Sequence, residues 1–279
     1  MLKAINAWSL PDNLSPLDQL RAAKKAGFEA YEPVLNLTGP LSLESGEDEF
    51  IAFRKAADAE GVALTSFATG LYWQYPFTSA DPAIYARSLD IARFQLRAAK
   101  WLGARVILVV PGNNVPAKDG SIEPYDVLYN RALDAVRSLA PLAEELGVTI
   151  GIENVWNNFL ITPLEMTNFV DAAGSKRVGA YFDVGNVILF GYPQQWIDML
   201  GNRIVCVHIK DFKKSTGSFD GFGDLLTGDV DFPAVMASLK KIGYDHALIV
   251  EKGVYARYEL ASVYNASTAM DWIMGRQTA

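Results

Sequence analysis

Three carboxylates and one imidazole each follow directly after a short apolar run of the sequence. They are Glu153, Asp183, His208 and Glu251, and the runs before them have the composition of buried strands. If parallel strands close into a barrel, their carboxyl ends share one face, and these four side chains converge there. Oxygen and imidazole donors suit a divalent metal, with Mn²⁺ expected first and Co²⁺, Mg²⁺, Fe²⁺ or Zn²⁺ also fitting.

A single residue of this kind has an ordinary structural explanation. An acid at a strand end often caps the following helix, and a lone histidine there commonly satisfies a buried hydrogen bond. Four metal-competent residues at the ends of successive apolar runs fit that explanation less well. The first two intervals between them match single strand–helix units, and the third contains a long insertion at residues 211–231. We therefore interpret the four residues as a metal site.

The ligand set indicates chemistry on a carbonyl compound. Four protein ligands leave up to two positions of an octahedron open, and a hydroxy-ketone can fill both with adjacent oxygens. A metal there polarises the carbonyl and stabilises an enediolate. Glu153 and Glu251 lie on different predicted strands and could act on opposite faces of one substrate carbon. One would remove a proton and the other would return one.

Composition argues against several other functions. The chain has 279 residues and a formal charge of −7, with acids and bases interleaved, so neither nucleic acid nor a membrane is expected as a partner. The single cysteine, Cys206, excludes an internal disulfide and a cysteine-cluster metal site. No signal-peptide core and no apolar run near the ~18–20 residues of a membrane span are present, which predicts a cytoplasmic protein.

Strand-like runs alternate with helical segments along the whole chain and predict an α/β protein, a single (β/α)8 TIM barrel domain over residues 1–279. A doubly wound sheet would need a glycine-rich phosphate loop after the first strand, and the sequence there has none. The predicted strands are residues 4–8, 30–34, 63–67, 105–110, 148–153, 178–183, 204–209 and 248–251. The predicted helices are residues 16–26, 47–60, 82–102, 125–146, 163–173, 193–200, 232–242 and 260–274.

Three long loops follow predicted strands, at residues 69–80, 111–124 and 211–231. The first is aromatic and includes Trp73, the second includes Asn113, and the third is rich in glycine and phenylalanine. We expect all three on the catalytic face, where aromatic rings could stack on the C–H faces of a small polyol. The alternative is that these aromatics form subunit contacts in a homo-oligomer, a dimer or tetramer.

Three segments carry a resemblance to a known family. Residues 151–157 (GIENVWN), 182–186 (FDVGN) and 207–211 (VHIKD) resemble the sugar phosphate isomerase/epimerase family. These xylose isomerase-like TIM barrels include ketose 3-epimerases, L-ribulose-5-phosphate 3-epimerases and hexulose-6-phosphate isomerase-like proteins. The resemblance implies that Glu153, Asp183, His208 and Glu251 are metal ligands. It also implies that Glu153 and Glu251 are the paired acid and base.

The chain departs from the ketose 3-epimerases at two positions. In those enzymes a histidine follows the metal-binding aspartate by three residues, and an arginine follows the metal-binding histidine by six. Asn186 and Lys214 stand at these positions here. Because both family residues help to hold the substrate, Asn186 and Lys214 are predicted substrate contacts. The combination resembles the sugar-phosphate branch more closely than the free-sugar 3-epimerases.

Other polar and aromatic residues are weaker candidates. Glu32 ends the second predicted strand and could bind a substrate hydroxyl, with helix capping or a salt bridge as the alternative. Lys210 lies on the same side of its strand as His208 and is expected to be a charge partner or substrate contact rather than a Schiff-base lysine. Lys213 and Lys214 could meet a phosphate or form a solvated pair. Trp73, Asn113 and Trp156 complete the predicted substrate contacts.

The preferred interpretation is an isomerase: a divalent-metal-dependent epimerase or isomerase that acts on a small-molecule sugar or sugar phosphate, a ketose or its phosphate. A metal-dependent lyase or dehydratase fits the same ligands if an acid can reach a β-hydroxyl. A non-catalytic sugar-binding barrel would not need two acids that face one carbon. A multi-zinc nuclease needs several histidines, whereas this chain has His208 and His246 alone.

Overall fold

The structure is a computed structural model that describes residues 1–116 and 120–277, and within these ranges nine parallel strands form one sheet. The sheet curves into a nearly closed barrel, so the predicted TIM barrel is confirmed. Its two outermost strands in the hydrogen-bonded order, Ala30–Glu32 and Val34–Leu35, are consecutive pieces of one segment interrupted at Pro33. The Pro33 carbonyl accepts a hydrogen bond from the Ala68 N–H, which closes the ring across this interruption.

The barrel strands are β1 (Leu2–Asn6), β2 (Ala30–Glu32), β3 (Val34–Leu35), β4 (Ser66–Thr69), β5 (Val106–Val109), β6 (Thr149–Glu153), β7 (Val178–Asp183), β8 (Ile204–Ile209) and β11 (Ala247–Val250). Two short strands in the loop after β8 pair with each other in antiparallel fashion, β9 (Asp211–Phe212) and β10 (Phe222–Gly223). The strand order around the barrel is β2, β1, β11, β8, β7, β6, β5, β4 and β3.

Helices surround the barrel, and the described ranges contain eight α-helices. They are α1 (Pro16–Lys25), α2 (Glu47–Glu60), α3 (Pro82–Leu102), α4 (Tyr125–Leu146), α5 (Pro163–Ala172), α6 (Pro193–Leu200), α7 (Phe232–Lys241) and α8 (Glu259–Met274). The helices α2, α3 and α4 end where predicted because Gly61, Gly103 and Gly147 adopt left-handed backbone conformations after their last turns. None of the helices in the described residues is both long and apolar enough to cross a bilayer.

Two strand predictions need correction. The first strand was predicted at residues 4–8, whereas β1 ends at Asn6, whose side chain accepts a hydrogen bond from the Trp8 N–H and turns the chain into a 3₁₀ helix. The third was predicted at residues 63–67, whereas β4 runs from Ser66 to Thr69, and Ala63 makes an isolated bridge to Ala30. The polar turn at Asn6, which apolar patterning does not reveal, sets the end of β1.

Candidate metal centre

The four residues singled out in the sequence meet at the carboxyl end of the barrel. Glu153 ends β6, Asp183 ends β7, His208 lies one residue before the end of β8, and Glu251 directly follows β11. The parallel pairing of β7 with β8 places Asp183 opposite His208. Each of the four offers one potential ligand atom, and these atoms all lie within 4.8 Å of one another.

The imidazole of His208 presents one nitrogen to the carboxylates. Its Nδ1 atom lies 2.8 Å from Oε2 of Glu251, 3.1 Å from Oε1 of Glu153 and 3.9 Å from Oδ2 of Asp183. The His208 and Asp183 side chains are fully buried, whereas Glu251 is partly exposed to the cavity above. Three carboxylates therefore surround one aromatic nitrogen in a largely buried environment.

A buried acceptor without a donor supports a cation at this point. Oδ2 of Asp183 is buried and accepts no hydrogen bond within the described part of the chain, although the Lys210 ammonium lies 3.1 Å away. Hard oxygen donors together with one imidazole fit Mn²⁺, Co²⁺, Fe²⁺, Mg²⁺ or Zn²⁺. The residues present therefore fit a divalent metal, and Glu153, Asp183, His208 and Glu251 are the ones that could hold it.

Asp183 is fixed in place by the loop that follows its neighbour strand. Its backbone N–H donates to Oδ1 of Asn154, and its carbonyl accepts from Nδ2 of the same asparagine, both at 2.9 Å. The Asn186 N–H donates to Oδ1 of Asp183 at 2.8 Å. The Asn186 side chain donates to the Asn154 carbonyl, which ties the three residues together. One carboxylate oxygen of Asp183 is thus used by the loop, and the other faces the cluster.

Lys210 places a positive charge between two of the acids. Its ammonium lies 3.1 Å from Oδ2 of Asp183 and 3.0 Å from Oε1 of Glu251. Burial disfavours the ionised form of Glu251, but Lys210 and His208 outweigh it and lower the pKa of this carboxyl. Burial raises the pKa of Glu153 to about 7, although contact with His208 acts in the opposite direction. The pKa of Glu153 is therefore higher than that of Glu251, although the two carboxyl groups lie close together.

A cavity of about 310 Å³ lies over the cluster and exposes Glu153, Glu251 and Lys210 to a ligand. Its polar lining also includes Asn186 and Lys252. Its aromatic lining consists of Trp8, Trp73, Trp156, Phe219 and Phe222. Of the predicted substrate contacts, Trp73, Trp156, Asn186 and Lys210 therefore lie in one place.

Trp156 is the centre of the aromatic wall. Its ring centroid lies 5.1 Å from that of Phe212, 5.0 Å from that of Phe219 and 5.1 Å from that of Phe222. Its indole N–H donates to the Asn186 carbonyl at 2.8 Å. The predicted loop at residues 211–231 thus folds against the loop after β6 and forms one side of the cavity. Aromatic surfaces in this arrangement exclude water and can stack on a sugar ring or chain.

Glu32 lies behind His208 rather than in the cavity. Its side chain is fully buried, and its carboxylate accepts hydrogen bonds from the Asn6 amide and the Tyr181 hydroxyl and lies 2.8 Å from Nε2 of His208. Both carboxylate oxygens are used inside the barrel, and the contact with His208 is the salt-bridge alternative that the sequence left open. The carboxylate orients the imidazole.

Asn113 and Lys214 also lie outside the residues that line the cavity. The Asn113 N–H donates to the Thr78 hydroxyl, and its carbonyl accepts from the same hydroxyl, so the two loops are joined there. Lys214 is exposed, with its ammonium 5.1 Å from the centre of the Tyr192 ring. Residues 117–119 of the predicted loop 111–124 lie outside the described residues.

Sequence reasoning missed two residues that shape the site. Asn154 directly follows Glu153 and fixes the backbone of Asp183. Lys252 directly follows Glu251, lines the cavity, and lies 2.9 Å from Oδ1 of Asp224. The available signal was the same in both cases, namely a second polar residue directly after a candidate ligand at a strand end.

Comparison with known proteins agrees with this geometry. A family model described as a xylose isomerase-like TIM barrel matches residues 20–274. The L-ribulose-5-phosphate 3-epimerase UlaE of Salmonella paratyphi C (strain RKS4594) is 25% identical over 282 residues, which cover 97% of this chain and 93% of that protein. The match extends over nearly the whole of both chains.

Solved structures show the same architecture. An L-ribulose 3-epimerase superimposes with a TM-score of 0.80 at 22% identity and covers 99% of this chain and 95% of its own. The structure of a D-psicose 3-epimerase in the presence of D-fructose superimposes with a TM-score of 0.81 at 18% identity. The match covers 99% of this chain and 100% of that enzyme. At these identities the likeness is one of fold. The family match over most of the sequence goes further, and the chain belongs to the xylose isomerase-like TIM barrel family.

Proposed function

We propose that this protein is an isomerase, a divalent-metal-dependent epimerase of ketoses or ketose phosphates. The observation that carries the proposal is that Glu153 and Glu251 line one cavity directly beside Asp183 and His208. A sugar-binding barrel would need hydroxyl contacts but not two carboxylates beside a metal site. The L-ribulose-5-phosphate 3-epimerase relative supports epimerisation as the reaction.

The two glutamates reach the cavity from different parts of the ring. Glu153 ends β6 and Glu251 follows β11, and β7 and β8 lie between these strands in the sheet order. A substrate between them would have one carboxyl group on each side of the reacting carbon. This placement supports inversion, since inversion requires a proton to leave one face and another to arrive at the opposite face.

The electrostatics of the metal-free site distinguish the two glutamates. Glu251, with its pKa lowered by Lys210 and His208, is a carboxylate that can remove a proton from the substrate carbon. Glu153 would return a proton to the other face; burial raises its pKa to about 7 in the metal-free site, and a bound divalent ion would lower it. In the reverse direction the two exchange roles. Pairs of carboxyl groups whose environments separate their pKa values are typical of acid–base sites.

The surrounding residues would bind and orient the substrate. A divalent ion held by Glu153, Asp183, His208 and Glu251, with Mn²⁺ as the first choice, would polarise the substrate carbonyl and stabilise an enediolate. Lys210 contributes a fixed positive charge beside the carboxylate oxygens of Asp183 and Glu251. Trp8, Trp73 and Trp156 would exclude water from the carbon acid and pack on its C–H groups. A homo-oligomeric state and a cytoplasmic location stay predictions.

The lysines that line the cavity in the described residues, Lys210 and Lys252, are each already paired with a carboxylate. The Salmonella relative is named for a phosphorylated ketose, L-ribulose 5-phosphate. We therefore propose that the substrate is a ketose or a ketose phosphate, and both are compared in the same assay.

The test is incubation of Mn²⁺-loaded protein in D2O with matched ketoses and ketose 5-phosphates. The proposal predicts an epimer that carries deuterium at the inverted carbon. Loss of water from the substrate would instead indicate a lyase or dehydratase. Binding without deuterium entry or a new product, across the panel, would indicate a sugar-binding protein and contradict the proposed activity.

A further inference from the structure

A second and larger cavity opens at the opposite end of the barrel from the candidate metal centre. It has a volume of about 650 Å³ and is lined by the amino-terminal ends of several strands, including Leu2, Val106, Thr149 and Ala247. The candidate ligands lie at the carboxyl ends of the strands. The two cavities are therefore separated by the packed interior of the barrel and face different sides of the molecule.

Three arginines from different elements line this basal cavity. Arg54 lies on α2, Arg105 directly precedes β5, and Arg177 directly precedes β7. None of the three has a carboxylate oxygen within 4.0 Å among the residues that the structure describes. The chain as a whole carries a formal charge of −7, so a group of unpaired guanidinium ions is a local exception to its composition.

The acidic residues of the basal cavity do not balance this charge. Asp58 and Asp245 also line it, and Asp245 is paired with the amino group of Met1 at 2.6 Å. The lining of the cavity therefore includes three guanidinium groups and one carboxylate that is not already paired with an ammonium group. The surplus is about two positive charges, which matches a dianion such as a phosphate ester at neutral pH.

An unsatisfied hydroxyl lies in the same place. Oγ1 of Thr65 is buried and has no hydrogen-bond partner within the described residues, and Thr65 lines the basal cavity. Buried polar atoms are almost always paired in folded proteins, and the exceptions require an explanation. Because the oxygen is shielded, this hydroxyl would donate to a bound oxyanion after rotation of the Thr65 side chain toward the cavity.

We propose that the basal cavity is a binding site for the phosphate group of a small metabolite. Arg54, Arg105 and Arg177 supply the charge, since a guanidinium group binds a phosphate through two parallel N–H donors. The Thr65 hydroxyl, once rotated toward the cavity, would add a neutral donor, and the cavity volume leaves room for the organic part of the ligand. This site lies apart from the candidate metal centre and does not depend on the proposed epimerase activity.

The test is isothermal titration of the purified protein with inorganic phosphate at low ionic strength. The wild-type protein should bind with saturation, and added salt should weaken the binding. Removing two guanidinium groups in an Arg105→Gln/Arg177→Gln variant should weaken binding by at least about tenfold, the scale of lost charged hydrogen bonds. Arg105→Lys keeps the charge without the paired donors and should give an intermediate affinity.

The matched control is Arg97→Gln. Arg97 is exposed on α3, has no ion pair within the described residues, and lies outside the basal cavity. This variant should bind phosphate as the wild type does. Absence of saturable binding to the wild type, unchanged binding in the folded double variant, or an equal loss in Arg97→Gln would overturn the proposal. Thermal unfolding of each variant shows whether it is folded.

Discussion

Nε2 of His208 lies 2.8 Å from Oε2 of Glu32, on the side of the imidazole away from the three acids. Both side chains are fully buried, and the Asn6 amide and the Tyr181 hydroxyl also donate to the Glu32 carboxylate. A proton on Nε2 that is donated to Glu32 leaves the lone pair of Nδ1 directed at the cluster. Metal-binding histidines are commonly oriented by a carboxylate in this way.

Glu32→Gln should therefore weaken Mn²⁺ binding by roughly 10–100-fold, the usual effect of losing such a partner. The amide keeps the shape of the side chain but weakens the acceptor that fixes the imidazole. Free Mn²⁺ measured by electron paramagnetic resonance during a titration gives the affinity directly. Glu29→Gln is the control, because Glu29 pairs with Arg276 away from the cluster. Equal affinities in Glu32→Gln and wild type would show that the contact does not orient the ligand.

His208→Ala and Asp183→Asn should each reduce the bound metal while the chain stays folded. Asn at position 183 can still accept the hydrogen bond from the Asn186 N–H, so the local loop is preserved. Metal content by elemental analysis and folding by circular dichroism are measured on the same samples. If either folded variant keeps wild-type metal content and affinity, that residue is not a ligand.

Chelation should abolish the isomerase activity, and Mn²⁺ or Co²⁺ should restore it. Three carboxylates and one imidazole are hard or borderline donors that exchange divalent ions readily. The activity assay is run before and after metal removal and after readdition. Full activity in protein shown to contain no divalent metal would contradict a metal-dependent mechanism.

Gly185→Ala should destabilise the protein and disturb the site. A Cβ at this position would lie 2.8 Å from the Lys210 Cβ and 2.9 Å from the Lys210 carbonyl oxygen, so the backbone that carries Lys210 would have to move. We expect a loss of roughly 1–3 kcal/mol in the free energy of unfolding, the scale of overpacking. Urea denaturation measures this loss.

Gly46→Ala is the matched control, since a Cβ at Gly46 would meet no atom within 4 Å. Its free energy of unfolding should change much less than that of Gly185→Ala. Similar losses in the two variants would mean that the close approach to Lys210 is not the cause of the lower free energy of unfolding.

The helices and the cluster were predictable because local signals encode them. The helices α2, α3, α4 and α6 have the predicted limits, and the four candidate ligands converge because parallel strands align their carboxyl ends. The role of Glu32 was not predictable in the same way. Barrel strands are buried on both faces, so alternation does not show which partner a strand-end acid meets. Asn113 and Lys214 lie in loops whose paths depend on tertiary contacts.

The central claim is that Glu153 and Glu251 act on opposite faces of one carbon. Deuterium entry and epimer formation, measured separately in D2O for Glu153→Gln and Glu251→Gln, test it most directly. Each metal-loaded variant should epimerise roughly 10²–10⁴-fold more slowly, the scale of acid–base catalysis. Each can still exchange the proton of one epimer, since the remaining glutamate removes and returns it on its own face. If both variants retain metal and still epimerise at nearly the wild-type rate, the two-glutamate mechanism is wrong.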